Sequence, residues 1–283
     1  LLGALPFLRL AFAAFAPGGH FAPGAVLEAI GGRAAVNATL HSLETAAFSA
    51  FGALLVGGGF ALLLAVTDLR GKRPLAFCLV FSMMIAPQVA ALAFLSLFAP
   101  NSPVLALLGL SPSPGTPNPL LGRGGIILVM ALHHAPLVAI TLWTGLRSVP
   151  HSLVEAAQME GAAPPTIVAR ILLPVLRPHI VAAALLAFVA GIGNFGIPAL
   201  LGLPVNYLTL PTLIYRRLSS FGPEGLPDAA ALSLLVALLA GLGILAGMLA
   251  MRQGGGKVEI ERPLQPFWQL GRARPFVAGG LWL

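Results

Sequence analysis

Six apolar stretches, each close to the roughly 20 residues that a membrane-spanning helix needs, decide what this chain can fold into. They are Leu1–Ala16, Ser42–Val66, Leu75–Ala99, Gly124–Leu146, Ile180–Leu203 and Ala229–Met251, with a further apolar start at Pro275–Leu283. A helix satisfies its backbone hydrogen bonds within one segment, so a single apolar stretch crosses lipid in that form. Only 9% of the residues are charged and 58% are hydrophobic, whereas soluble domains carry about 25% charged residues. Such a chain cannot cover a core with a solvated surface. It reads as all-α, a polytopic integral membrane protein with six transmembrane helices and lipid as its solvent.

The net charge of +7 does not point to nucleic acid, because no basic run interleaved with aromatic residues occurs. Cys78 is the one cysteine, which leaves neither an internal disulfide nor a Cys metal cluster to expect. The positions of the basic residues say more than their sum. Arg70, Lys72 and Arg73 share one connection, Arg147, Arg170 and Arg177 a second, and Arg252, Lys257, Arg262, Arg272 and Arg274 follow the sixth stretch. The opposite side holds Arg33, Arg123, Arg216 and Arg217. By the positive-inside rule the first three groups face the cytoplasm.

The connection carrying Arg147 has its own internal grammar. Ser152-Leu153-Val154-Glu155 fits a capping box, Gly161 suits a helix C-terminus that needs positive φ, and Pro164-Pro165 can open a second helix. Two short helices at an angle are expected over 147–178. Within it, Glu155, Ala156, Ala157, Gly161, Ile171, Leu173 and Pro174 form the pattern E-A-A-x3-G-x9-I-x-L-P. That pattern resembles the signature loop of permease subunits of binding-protein-dependent ABC importers, with every fixed position filled.

The resemblance implies a type I importer permease fold with cytoplasmic coupling helices. It assigns those seven residues to contact with a cytoplasmic ABC ATPase dimer, which binds ATP and Mg while this chain binds no cofactor and no metal. It also implies an external solute-binding protein, a second permease half and a bacterial or archaeal plasma membrane. The run Asn194–Gly202, with Leu213-Ile214-Tyr215, looks most like iron(III)-type permeases, with polyamine and aminoalkylphosphonate permeases close by. Iron(III) is therefore the leading expected cargo. Because iron(III)-type permeases are often fused, the chain is expected to hold the first half of such a fusion. Residues 1–252 would be the six-span domain, 253–274 a cytoplasmic linker, and 275–283 the start of a second half.

Gly193, Asn194, Gly196 and Pro198 lie in one short run of the fifth stretch. Freed backbone groups at that depth need protein or a water-lined cavity. The run reads as a gate on the transport path with Asn194 facing it, or as close packing with Asn194 as interhelical glue. His133 and His134 project about 100° apart on a helix and cannot alone share a metal ion. They read as neutral imidazoles hydrogen-bonded between helices, or as path-lining groups. Glu44 and His41, one turn apart, read as interfacial. Asn206–Phe221 reads as an amphipathic outer segment whose Arg216 and Arg217 could meet an acidic binding protein. No P-loop, H-E-x-x-H or G-x-S-x-G motif occurs, so no enzymatic activity is expected of this chain. An ion-gradient-driven secondary transporter is the alternative.

Overall fold

The computed structural model describes residues 4–15, 23–68, 71–99, 101–107, 109, 117–220, 225–252 and 264–268. The chain begins with α1 (Ala4–Phe15), α2 (Pro23–Gly31), α3 (Arg33–Val66), α4 (Lys72–Ser82), α5 (Pro87–Leu97) and α6 (Pro103–Leu107). It continues through α7 (Arg123–Arg147), α8 (His151–Met159), α9 (Pro164–Ile167), a π turn (Val168–Leu172), α10 (Leu173–Val175) and α11 (Arg177–Ile192). After α12 (Gly196–Leu201) and a 3₁₀ turn (Leu203–Val205) come α13 (Leu210–Ser219) and α14 (Gly225–Arg252). Among the described residues the extended structure is a single bridge, Thr67 to Trp268.

α3, α7 and α14 have 34, 25 and 28 residues and are apolar enough to span a bilayer. At 1.5 Å per residue they run about 51, 38 and 42 Å, beyond the roughly 30 Å of hydrocarbon. The other expected spans are broken or short. Leu75–Ala99 is two helices, because Pro87 holds Ala86 in extended conformation, φ −60° and ψ 141°. Ile180–Leu203 stops at Ile192 and resumes at Gly196, and a 70° bend separates Pro164–Val175 from α11. Taking each bent pair as one span gives five. The expected first span supplies α1, with 12 residues and a length of about 18 Å. Leu1–Gly3, Ala16 and Pro275–Leu283 lie outside the described residues, as does 253–263.

The chain divides into two compact units. The first comprises Leu1–Ser49, Ala86–Met130 and Phe188–Ile244; the second comprises Ala50–Ile85, Ala131–Ala187 and Leu245–Leu283. In the first, Leu120, Ile126 and Met130 pack with Ala91 of α5 and with Ile197 and Leu201 of α12. Ala35 and Ala38 of α3 meet Leu210 and Leu213 of α13 and Leu232 of α14. A third cluster joins Ala14 of α1, Val26 of α2 and Ala230 and Ala231 of α14.

In the second unit α3 and α7 meet through small residues. A Cβ on Gly57 would lie 2.3 Å from the Ala135 carbonyl oxygen and 2.9 Å from the Val138 Cβ, and one on Gly52 would lie 2.8 Å from the Ala131 Cβ. Between apolar helices in lipid, close van der Waals fit does the work that the hydrophobic effect does in water. Gly57→Leu must part the two helices, a change that costs about 1–3 kcal/mol. Its thermal unfolding in detergent is expected several degrees below that of the parent. Gly59→Leu, where a Cβ meets nothing within 4 Å, is the control expected to melt with the parent. Coincident melting of Gly57→Leu and the control would disprove the seam.

Candidate functional site

Two groups of residues carry the functional expectation, one in each unit. In the second unit, α7 ends with the Arg147 guanidinium over the Trp143 ring, 5.8 Å from its centroid. Pro150, extended at φ −62° and ψ 133°, is the N-cap of α8. This corrects the capping box expected at Ser152. The helix starts at His151, so Ser152 sits inside the first turn and makes no cap, and the Pro150 carbonyl accepts the Leu153 N–H at 3.3 Å. Glu155 instead faces His151 one turn back, with Nε2 3.7 Å from Oε1.

Gly161 has φ +77°. The Ala162 N–H donates to the Ala157 carbonyl and the Gly161 N–H to the Gln158 carbonyl, both at 2.9 Å. That pair of bonds is the Schellman closure, which satisfies carbonyls the helix leaves free. Ala163 then adopts φ −69° and ψ 149° and Pro164-Pro165 open α9, as their rings allow at a first turn. The π turn Val168–Leu172 ends two residues before Pro174. Pro174 has no N–H for the Arg170 carbonyl and crowds it, and the widened turn accommodates both effects.

Val154, Ile167 and Leu172 are fully buried and seat the loop. Glu155, Ala156 and Gly161 are exposed, while Ala157 turns inward. Leu173 and Pro174 are exposed and Ile171 is half-buried. Met159 is 90% exposed, a large apolar side chain on the outer face of α8 that the motif does not include. Its signal in the sequence was an apolar residue off the buried i, i+3 stripe of Val154 and Ala157. Further back in this unit, His133 and His134 are side by side on α7, ring centroids 5.6 Å apart. Nδ1 of His134 is buried without a hydrogen-bond partner among the described residues, so that nitrogen does not make the expected interhelical bond.

In the first unit the break between α11 and α12 falls at Gly193–Phe195. Asn194 is 8% exposed, and its Oδ1 accepts the Ile197 N–H at 3.1 Å. It thereby satisfies an amide at the start of α12. Gly193 instead lies on a cleft of about 340 Å³ with Phe195, Pro211, Tyr215 and Ser233. Gly196 and Pro198 are buried, and a Cβ on Gly196 would lie 2.8 Å from the Gln88 Cδ. Of the four residues of the run, only Gly193 is on the cleft.

A polar network in the same unit went largely unseen in the sequence. Glu44 of α3 pairs with Arg123 at the start of α7 and accepts the Tyr207 hydroxyl at 3.3 Å. His41 stacks on Tyr207 with centroids 4.0 Å apart, and its Nδ1 is 2.9 Å from the Leu208 carbonyl. Ser42 Oγ accepts the Leu210 N–H at 2.7 Å. Opposite charge at the head of the fourth apolar stretch was the available signal for Arg123. Arg216 and Arg217 are engaged within the chain, by Asn206 at 3.0 Å and by Asp228 at 3.5 Å.

Residues 57–254 match the family described as "Binding-protein-dependent transport system inner membrane component". The chain belongs to that family. Among its relatives is the spermidine/putrescine transport system permease protein PotC of Haemophilus influenzae, 29% identical over 180 residues, covering 64% of this chain and 63% of the relative. Another is the putative 2-aminoethylphosphonate transport system permease protein PhnU of Salmonella choleraesuis, 27% identical over 187 residues and 64% of each chain. The chain thus spans a little under two thirds of the length of these two relatives. A bacterial alginate ABC transporter, solved with an alginate pentasaccharide-bound periplasmic protein, aligns with a TM-score of 0.71 at 18% identity over 90% of each chain. The MetNI methionine ABC transporter aligns with a TM-score of 0.61 at 21% identity, over 78% of this chain and 96% of the other. The fold is that of type I ABC importer permeases.

Burial pushes the Tyr207 phenol up to about 12, helped by the Glu44 charge and the hydrogen bond to it and opposed by Arg123. A raised folded-state value contributes stability that is intact below the unfolded pKa of about 10. That stability is lost as pH climbs through the folded value. The chain has two tyrosines, and the phenolate absorbance of this permease is expected to show a late phase centred near pH 12. Tyr207→Phe should remove that late phase; a parent that shows no late phase for the substitution to remove would disprove the buried Glu44–Tyr207 contact.

Proposed function

We propose that this chain is the transmembrane permease subunit of an ATP-driven, binding-protein-dependent importer, with the α8–α10 loop in the cytoplasm. A separate ATPase dimer, carrying ATP and Mg, docks on that loop and drives the spans between inward- and outward-facing states. An external solute-binding protein delivers the cargo, and a second permease half, fused or separate, completes the path. The carrying observation is the family match over residues 57–254, which includes a loop presenting Glu155, Ala156, Met159 and Gly161 outward from a buried base. The arrangement of Lys and Arg supports the orientation.

The relatives change the order of cargoes expected from the sequence. The names of the two relatives specify spermidine/putrescine and 2-aminoethylphosphonate, which favours these classes over iron(III). Both kinds of molecule carry a primary ammonium group. A small solute bearing one is the proposed cargo.

The test is uptake of labelled spermidine, 2-aminoethylphosphonate and ferric iron by proteoliposomes holding the permease with its ATPase and binding protein. Uptake of an ammonium-bearing solute, dependent on ATP, is expected. At Gly161 a Cβ meets nothing within 4 Å, so a new side chain projects into the docking space, and φ +77° strains any L-residue by roughly 1–2 kcal/mol. Gly161→Asp should therefore abolish uptake and weaken ATPase association while membrane insertion stays at the parent level. Normal uptake by that variant, or uptake sustained by an ion gradient after ATP is removed, would sink the reading.

A further inference from the structure

Residues Leu264–Trp268 return to the second unit and lie on both α3 and the loop. The N–H groups of Phe267 and Trp268 each donate to the Val66 carbonyl at 3.0 Å, and Trp268 forms the bridge to Thr67. Val66 ends α3, so its carbonyl is among those a helix cannot satisfy itself. Trp268 closes a cavity of about 100 Å³ against Leu62, Leu63 and Val66 of α3 and Val168 of the π turn. At the other end of the segment, the Gln265 N–H donates to His151 Nδ1 at 3.4 Å. A neutral imidazole that accepts at Nδ1 carries its proton on Nε2, and Nε2 is the nitrogen that faces Glu155.

We propose that Leu264–Trp268 is a strap that joins the end of α3 to α8 through His151, so that displacement of α8 is carried into α3 while Glu155 is held in one orientation. α8 is covalently continuous with α7 on one side and, through α9 and α10, with α11 on the other. It has no covalent route to α3 that avoids α7, and the strap supplies a non-covalent one made of hydrogen bonds and a packed indole. His151 acts here as a positioning residue. The mechanical role rests on the loop being the ATPase contact, whereas the strap's own contacts do not depend on that reading.

Two measurements test the strap. Hydrogen exchange on the full chain in detergent reads the contact alone: Trp268→Ala and Gln265→Pro should each quicken exchange of the α8 amides by about tenfold. Gln265 is exposed, and its replacement by Pro removes the N–H donor while leaving Trp268 in place, which guards against misfolding of the Trp268 variant. In the reconstituted transporter both variants should lower solute moved per ATP by about threefold. His151→Leu should do the same, and His151→Asn, which restores an acceptor near Nδ1, should rescue it. Parent-like α8 exchange in both strap variants, or no rescue by His151→Asn, overturns the proposal. Gly161→Asp, run alongside, separates the two ideas. If it blocks transport while the strap variants match the parent, the strap alone is wrong; if it transports normally, the loop reading fails and the exchange data still decide the strap.

Discussion

A peptide group that leaves a helix inside lipid finds no water to turn to, and most of what is irregular in this chain answers that constraint. Where α11 gives way to α12, the side chain of Asn194 takes the Ile197 amide. Beyond α12 the Tyr207 N–H returns to the Gly202 carbonyl at 3.0 Å, and the Gly122 N–H reaches the Leu201 carbonyl at 2.7 Å. Thr209 and Thr212 close the start of α13 reciprocally. Each break is tolerated because a named group satisfies it. Several polar residues of an otherwise apolar chain do this work on the backbone, so a reading of their function has first to subtract it.

The second constraint concerns how apolar helices hold one another when lipid is as apolar as they are. Gly52 and Gly57 let α3 approach α7. At the far end of α7, a Cβ on Gly145 would lie 2.5 Å from the His179 ring, and one on Gly247 of α14 would fall within the Leu185 side chain of α11. Gly145 and His179 flank the loop that runs from Arg147 to Arg177. The loop therefore leaves and re-enters the bundle at a base where α7 and α11 touch, which fixes its footing.

The parts of this architecture that depend on local chemistry were legible in the sequence. The long apolar stretches became α3, α7 and α14, Gly161 took the positive φ its position called for, and Pro164-Pro165 opened a helix. Features set by competition or by distant partners were not. Ser152 and Glu155 had capping-box spacing, yet Pro150 two residues earlier started the helix first. Leu75–Ala99 had the hydropathy of one span, yet Pro87 imposed an extended residue within it. Glu44, Arg123 and Tyr207 lie far apart in sequence, and only the packing of α3, α7 and the segment before α13 brings them together. Asn194 was visible as an unusual residue, but its bond to a backbone amide three residues on depends on where the helix breaks.

The loop itself is built as a stiff object. Its first corner is a Schellman turn followed by an extended residue and two prolines, and its second is a π turn followed by Pro174. Both corners are held by backbone constraints, which bend less readily than side-chain contacts that can repack. Val154, Ile167 and Leu172 peg the same segment into the bundle with no exposed surface. A connection that only joined two spans would need none of this, since flexible loops cost little. Stiffness matters when one end must move because the other is pushed. Met159, 90% exposed at the outer face, fits the proposed docking: an adaptable apolar side chain is a poor choice against water and a good one against a partner's groove.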